Sequence, residues 1–290
     1  MSHRDRYGRR RVFWAGSSLA RPMPDLANRY GGRWRATHPA GTDEPGDRVL
    51  GRGLWLGRIL GVPVRLDLTW FVGLAVFTTL SHDVWSPRVT GLGAIALSIA
   101  FTCAFFGSVL AHELSHALAA RVLGIGTMEI SLLLFGGVAR IVSEPVDAAG
   151  EALMAMAGPL TSVTLAGLLW LASQLVAGWP GDLLALLGLA NLVLAVFNLL
   201  PGFPLDGGRV ARAVVWRLTG RRLLATQVTA WFGRGLALLL IVGGLVAVVL
   251  LRTPRYLLHV ALGLFLLNAA NRGERAARQL DHYALTHPEP

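Results

Sequence analysis

The sequence predicts an all-α polytopic membrane protein with about six transmembrane helices and one small re-entrant β-hairpin between the second and third. Three observations carry this. Of the 290 residues, 53% are hydrophobic and only 15% are charged, a balance too apolar for an ordinary soluble domain. Six apolar runs, near 62–80, 91–123, 152–177, 183–204, 235–251 and 256–270, are separated by polar stretches. All 27 basic residues are arginines, and they lie between or outside those runs, apart from Arg65 and Arg121 near the ends of theirs. A net charge of +10 therefore reads as a topology signal rather than as a nucleic-acid footprint.

Residues 1–50 are rich in Arg, Gly, Pro, Asp and Ser and contain no sustained apolar period, so they read as a disordered basic cytoplasmic extension. The six-span domain is expected over 51–271. A hydrocarbon core of about 30 Å takes roughly 20 helical residues to cross, which makes the second to fourth runs comfortable spans and the first and last short ones. Residues 272–290 form a short, mostly polar cytoplasmic tail. With six crossings, fifteen membrane-proximal arginines fall on one side, and only Arg88, Arg252 and Arg255 on the other. The positive-inside rule then places both termini in the cytoplasm of a multi-pass cell-membrane protein. The second span runs inward.

Between the second and third spans, "GIGTMEISLLLFGGVARIVSEP" (124–145) mixes β-branched and apolar residues around Gly136-Gly137, the pattern of a hairpin. Its backbone cannot face lipid unpaired, so it must lie against protein or at the interface, with an edge on which another strand can dock. Glu129 and Glu144 flank it as interfacial residues, and His82, Asp83 and Trp85 read as a membrane-interface loop. His259 reads as a packing histidine. The single cysteine, Cys103, excludes an internal disulfide and reads as a packing residue.

The chemistry is concentrated in "AHELSHALAA" (111–120), near the cytoplasmic end of the second span. His112 and His116 stand one helical turn apart on one face and can share an ion, while Glu113 points to the adjoining side and can hold the attacking water. Left without an ion, two histidines and a glutamate would have to act as polar contacts between helices, at a cost of at least about 2.5–3.5 kcal/mol for a charged group at mid-bilayer. A zinc ion offsets that cost. A catalytic zinc site takes three protein ligands and leaves a fourth position open, so a further donor is needed from another segment. "NLLPGFPLDGGRV" (198–210) supplies Asp206, the only acid between Asp182 and Glu274, in a stretch broken by Pro201, Pro204 and several glycines. Its alternative reading is a helix cap.

Together these two motifs resemble the site-2 protease family of intramembrane zinc metalloproteases, over about 50–270. The resemblance implies one zinc per chain, held by His112, His116 and Asp206, with Glu113 as general base. "LLLFGGVARI" is similar to the family's hairpin, which implies that Phe135, Gly136, Gly137 and Val138 hold an unwound substrate strand; Asn198 reads either as a donor to the substrate backbone or oxyanion or as a helix-packing residue. "MAGPLTS" fits the family's G-x-x-x-N/S/G pattern as Gly158 and Ser162. Asp67 stands where many bacterial relatives carry His, and neither the paired nucleotide-sensing CBS domains nor a PDZ-like insertion is evident. The expected partners are the lipid bilayer and a substrate with a transmembrane helix, such as an anti-sigma factor or a signal-peptide remnant, cut near the cytoplasmic face. The competing readings are a non-catalytic metal-binding scaffold and a metal transporter. Neither gives Glu113 a task, and a transporter would spread polar residues along several spans.

Overall fold

The structure is a computed structural model that describes residues 53–141, 145 and 147–286. The extension expected over 1–50 and the reading of Glu144 lie outside the described residues.

Two short strands open the domain, β1 (Gly53–Ile59) and β2 (Val62–Asp67), joined by a tight turn at Leu60 and Gly61. β2 buries Val62, Val64 and Leu66 and leaves Pro63, Arg65 and Asp67 partly open, the period-2 alternation of a half-buried strand. The first apolar run therefore divides. Its opening residues are strand, and helix α1 covers Leu68–Trp85. Asp67 explains the change of state: its carboxylate accepts from Thr69 N at 2.8 Å and caps the helix. His82, Asp83 and Trp85 lie within α1 rather than in a loop, and Trp85 is buried.

Helix α2 (Leu92–Val122) descends to β3 (Thr127–Leu133) and β4 (Gly136–Ile141). The expected hairpin is thus half of a four-stranded sheet, in the order β1-β2-β3-β4. β2 and β3 pair in parallel with Val64 opposite Ile130, while β3 and β4 pair antiparallel with Ser131 opposite Val138. Sequence periodicity does not reveal partners so far apart in the chain. Glu129 pairs across the sheet with Arg65 at 3.1 Å. One face of the sheet, through Val62, Leu66, Ile130 and Leu132, packs on Val109, Leu114 and Ala117 of α2. Cys103 points outward from α2 and is exposed, contrary to its reading as a packing residue.

Four helices follow: α3 (Ala148–Ser173), α4 (Trp179–Asn198), α5 (Asp206–Thr219) and α6 (Arg222–Leu251), with a final α7 (Leu257–Thr286) after a single 3-10 turn. α4 ends at Asn198, and the broken segment 199–205 leads into α5, an amphipathic helix absent from the six apolar runs because Arg209, Arg212 and Arg217 interrupt its apolar residues. α5 stops at Gly220, which takes the left-handed conformation that favours glycine. α6 and α7 pack closely where small residues permit. A Cβ on Gly263 would come within 2.7 Å of Ala237 O, and one on Gly244 within 3.0 Å of Tyr256 O. α7 continues as helix into the expected tail, as far as Thr286. There Glu274, largely buried, accepts from Arg234 of α6 at 2.6 Å and from Arg278 at 2.7 Å. His259 is exposed and lies against Tyr256, with ring centroids 5.5 Å apart.

Four helices, α2, α3, α4 and α6, are long and apolar enough to cross a membrane. Their outward faces are apolar, with Leu239 of α6 67% exposed and Leu250 74% exposed, as expected where lipid replaces water. The chain is a multi-pass membrane protein with a small sheet against α2, the first of these four helices. α1 and α7 are long enough but less apolar, since α1 ends in His82 and Asp83 and α7 becomes polar beyond Ala270.

Candidate metal centre

α2 buries Val109, His112 and His116 on one face, a spacing of three and four residues that brings the two imidazoles together edge to face, 4.9 Å between centroids. The opposite wall is α3, which reaches both rings. Nδ1 of His112 lies 2.9 Å from Ser162 Oγ, and Nδ1 of His116 donates to Met154 O at 2.7 Å. Fixing Nδ1 in this way fixes the direction of Nε2. Between Met154 and Ser162, Gly158 leaves space for the rings: a Cβ there would overlap Nε2 of both histidines.

The third donor comes from the start of α5. Asp206 is buried, and its Oδ2 lies 3.1 Å from His112 Nε2 and 3.2 Å from His116 Nε2. Each residue offers one donor atom, and the three atoms lie within 4.8 Å of one another. Two imidazole nitrogens and one carboxylate oxygen, each imidazole held from behind at Nδ1, are a donor set that fits zinc with a position left open. The residues present therefore fit the ion that the sequence motif implies.

Gly207 and Gly208 explain how Asp206 reaches this point. A Cβ on Gly207 would overlap the Leu199 carbonyl, and one on Gly208 the backbone of Gly202 and Phe203. The start of α5 folds back directly onto the segment that precedes it. Phe203 N donates to Thr229 O of α6 at 3.0 Å, which ties the same segment to a third helix.

A cavity of about 320 Å³ opens beside the three donors and is lined by His112, Glu113, His116 and Asp206. The residues singled out for substrate all reach it: Phe135, Gly136, Gly137 and Val138 from the hairpin, and Asn198 from the end of α4. Gly137 brings β4 onto Glu113, because a Cβ there would overlap Glu113 Cγ. β4 is the last strand of the sheet, so its outer edge has no strand partner among the described residues. Phe135 lies against Phe265 of α7, 5.7 Å between centroids, and both rings line the cavity. The Asn198 amide donates to Leu194 O in its own helix at 3.0 Å.

Some contributors escaped the motif reading. Arg209 lines the cavity one turn beyond Asp206, a position predictable once α5 is known to be a helix. Met154 acts through its carbonyl, which no side-chain pattern can signal. Glu151, on the same face of α3, is wholly buried and paired with Arg212 of α5. Its one signal was an acid immediately before the third apolar run.

Residues 100–179 and 173–242 match the family model for peptidase family M50. Over 237 residues the chain is 32% identical to a Synechocystis protein named as a candidate zinc metalloprotease, a match covering 80% of this chain and 62% of that protein. Over 199 residues it is 36% identical to a zinc metalloprotease of Methanocaldococcus jannaschii, covering 66% of this chain and 54% of the relative. The chain thus spans little more than half the length of these curated relatives. Among solved structures, the site-2 protease from Methanocaldococcus jannaschii superposes with a TM-score of 0.57 at 32% identity, over 77% of this chain and 95% of that one.

Proposed function

Because the chain belongs to peptidase family M50, the site-2 family of zinc metalloproteases, we propose that it is an intramembrane zinc endopeptidase that cuts transmembrane segments near the cytoplasmic face. One observation carries the reading: His112, His116 and Asp206 converge at a single buried point, and Glu113 lines the cavity beside it. His112, His116 and Asp206 would hold one zinc ion. When bound, the ion supplies a Lewis acid that polarises a peptide carbonyl and makes water a better nucleophile at neutral pH.

The chain's own residues do the rest. Glu113 takes the proton from the attacking water and later passes it to the leaving amine. A helical substrate hides its amides in its own hydrogen bonds, so it must unwind to be cut. The outer edge of β4, over Gly136–Val138, offers backbone partners for the unwound segment, and Gly137 lets that segment run close to Glu113. Phe135 lines the cleft, and Asn198, which lines it too, would engage the substrate backbone or the oxyanion on giving up its bond to Leu194 O. The apolar runs and the arginine asymmetry support six crossings with both termini cytoplasmic, α1 and α7 supplying the two short spans and the sheet being re-entrant. By the family resemblance, the chain's substrates would be single-span membrane proteins such as anti-sigma factors or signal-peptide remnants.

The test compares the purified protein with Glu113→Gln in detergent, measuring zinc per chain and cleavage of a transmembrane reporter. The reading expects about one zinc in each and cleavage only by the parent. Equal zinc without cleavage of several reporters by either protein would instead identify a scaffold. Asp206→Ala with undiminished zinc affinity would remove Asp206 from the ligand set.

A further inference from the structure

The face of α3 that orients the histidines carries one more group. Glu151, Met154, Gly158 and Ser162 are all buried, at spacings of three, four and four residues, and form a single stripe along the helix. Three of these meet His112 or His116. The fourth, Glu151, reaches α5 instead: Arg212 Nε donates to Glu151 Oε1 at 2.6 Å, and Arg212 Nη2 meets the same oxygen. Glu151 is 0% exposed and Arg212 6% exposed. Arg212 stands six residues after Asp206 on α5, and its guanidinium also lies over the Phe203 ring, 5.7 Å from the centroid. Phe203 belongs to the broken segment that delivers Asp206.

Stability is a poor explanation for such a pair, since apolar residues of similar volume commonly do as well as a buried ion pair. The Glu151 Oε2 atom, moreover, is buried without a hydrogen-bond partner. What the pair does, and an apolar contact would not, is fix the register of two helices. α3 sets where the imidazole nitrogens point, and α5 sets where the Asp206 carboxylate lies. We propose that Glu151 and Arg212 are positioning residues that lock α5 to α3, holding Asp206 at the distance from His112 and His116 that a shared metal ion requires.

The proposal rests on the metal-site reading, and cobalt(II) added alone as a spectroscopic probe separates the two. The parent should bind about one Co²⁺ per chain with the visible band of a four-coordinate site, and His112→Ala should abolish it. A parent that takes up no Co²⁺, or an unaffected His112→Ala, overturns the metal reading and this proposal with it. With the parent behaving as expected, the double variant Glu151→Leu/Arg212→Met removes both charges without stranding either. It should fold, with a metal-free unfolding temperature within a few degrees of the parent, yet bind Co²⁺ at least about tenfold more weakly and with an altered band. Adding Asp206→Ala to that background should cost much less affinity than it costs in the parent, because the same ligand is already misplaced. Parent-like affinity and band in the double variant overturn the positioning role, as does a full Asp206→Ala effect in that background. Should the double variant fail to fold, Arg212→Lys carries the test, since Lys keeps the charge but not the two-nitrogen grip. A weakened and altered Co²⁺ site then supports the proposal, and an unchanged one overturns it.

Discussion

Gly158 stands directly over His116: a Cβ at this position would overlap the imidazole Nε2, and that of His112 beside it. The α3 backbone is thus the wall against which both metal-facing nitrogens rest. Gly158→Ala should push the rings out of place and weaken zinc binding by at least about tenfold, read by chelator competition. Gly167→Ala, on the same helix with nothing near the added methyl, should leave zinc binding unchanged and the fold slightly firmer.

Ser162→Ala removes the group 2.9 Å from His112 Nδ1 while leaving Asp206 and His116 untouched. The imidazole then loses its rear support, and metal affinity or turnover should fall about 10- to 100-fold. Ser162→Thr should retain much of what Ala loses if the hydroxyl alone matters. Equilibrium zinc titration of the three proteins distinguishes these outcomes.

A different outcome is expected at Gly137, which meets Glu113 rather than the metal donors. If the proposed function holds, Gly137→Val should leave zinc content at one per chain and abolish most cleavage of a transmembrane reporter, because the added side chain occupies the space of Glu113. Loss of zinc in this variant would show that β4 supports the metal donors instead.

Acid sensitivity should be visible at the α6–α7 junction. Hydrogen bonds from Arg278, and also from Arg234, hold the Glu274 carboxyl below its ordinary range, against the opposing effect of burial. A lowered native pKa means that this contribution is fully present above the unfolded value of about 4.3 and is lost as pH falls through the native one. Glu274→Gln should therefore destabilise the protein at pH 7, and the gap to the parent should close below about pH 4, as seen in unfolding temperatures measured across that range.

The long apolar helices and the two motifs were legible because each is a local pattern: a helical run of sufficient length, a pair of histidines one turn apart, an aspartate in a proline- and glycine-broken segment. What stayed hidden is non-local. Val64 finds Ile130 across more than sixty residues, and no periodicity in β2 announces a parallel partner in β3. An apolar-run reading merged Val62–Asp67 with the helix that follows, although Asp67 marks the boundary as a cap. α5 was missed because its apolar face is interrupted by Arg209 and Arg212, yet those arginines face the cavity and Glu151. The support behind His116 is a main-chain carbonyl, visible only once α3 lies beside α2.

Ninety-four residues separate His112 from Asp206. A nascent chain that has made α2 already carries both histidines and Glu113, but nothing to complete the donor set. It acquires the last donor only after two further membrane-length helices have formed and the glycine-rich turn has brought α5 back to α3. Assembly of the donor set is therefore tied to the making of α5: a chain stopped after α2 holds two of the three donors and lacks the third.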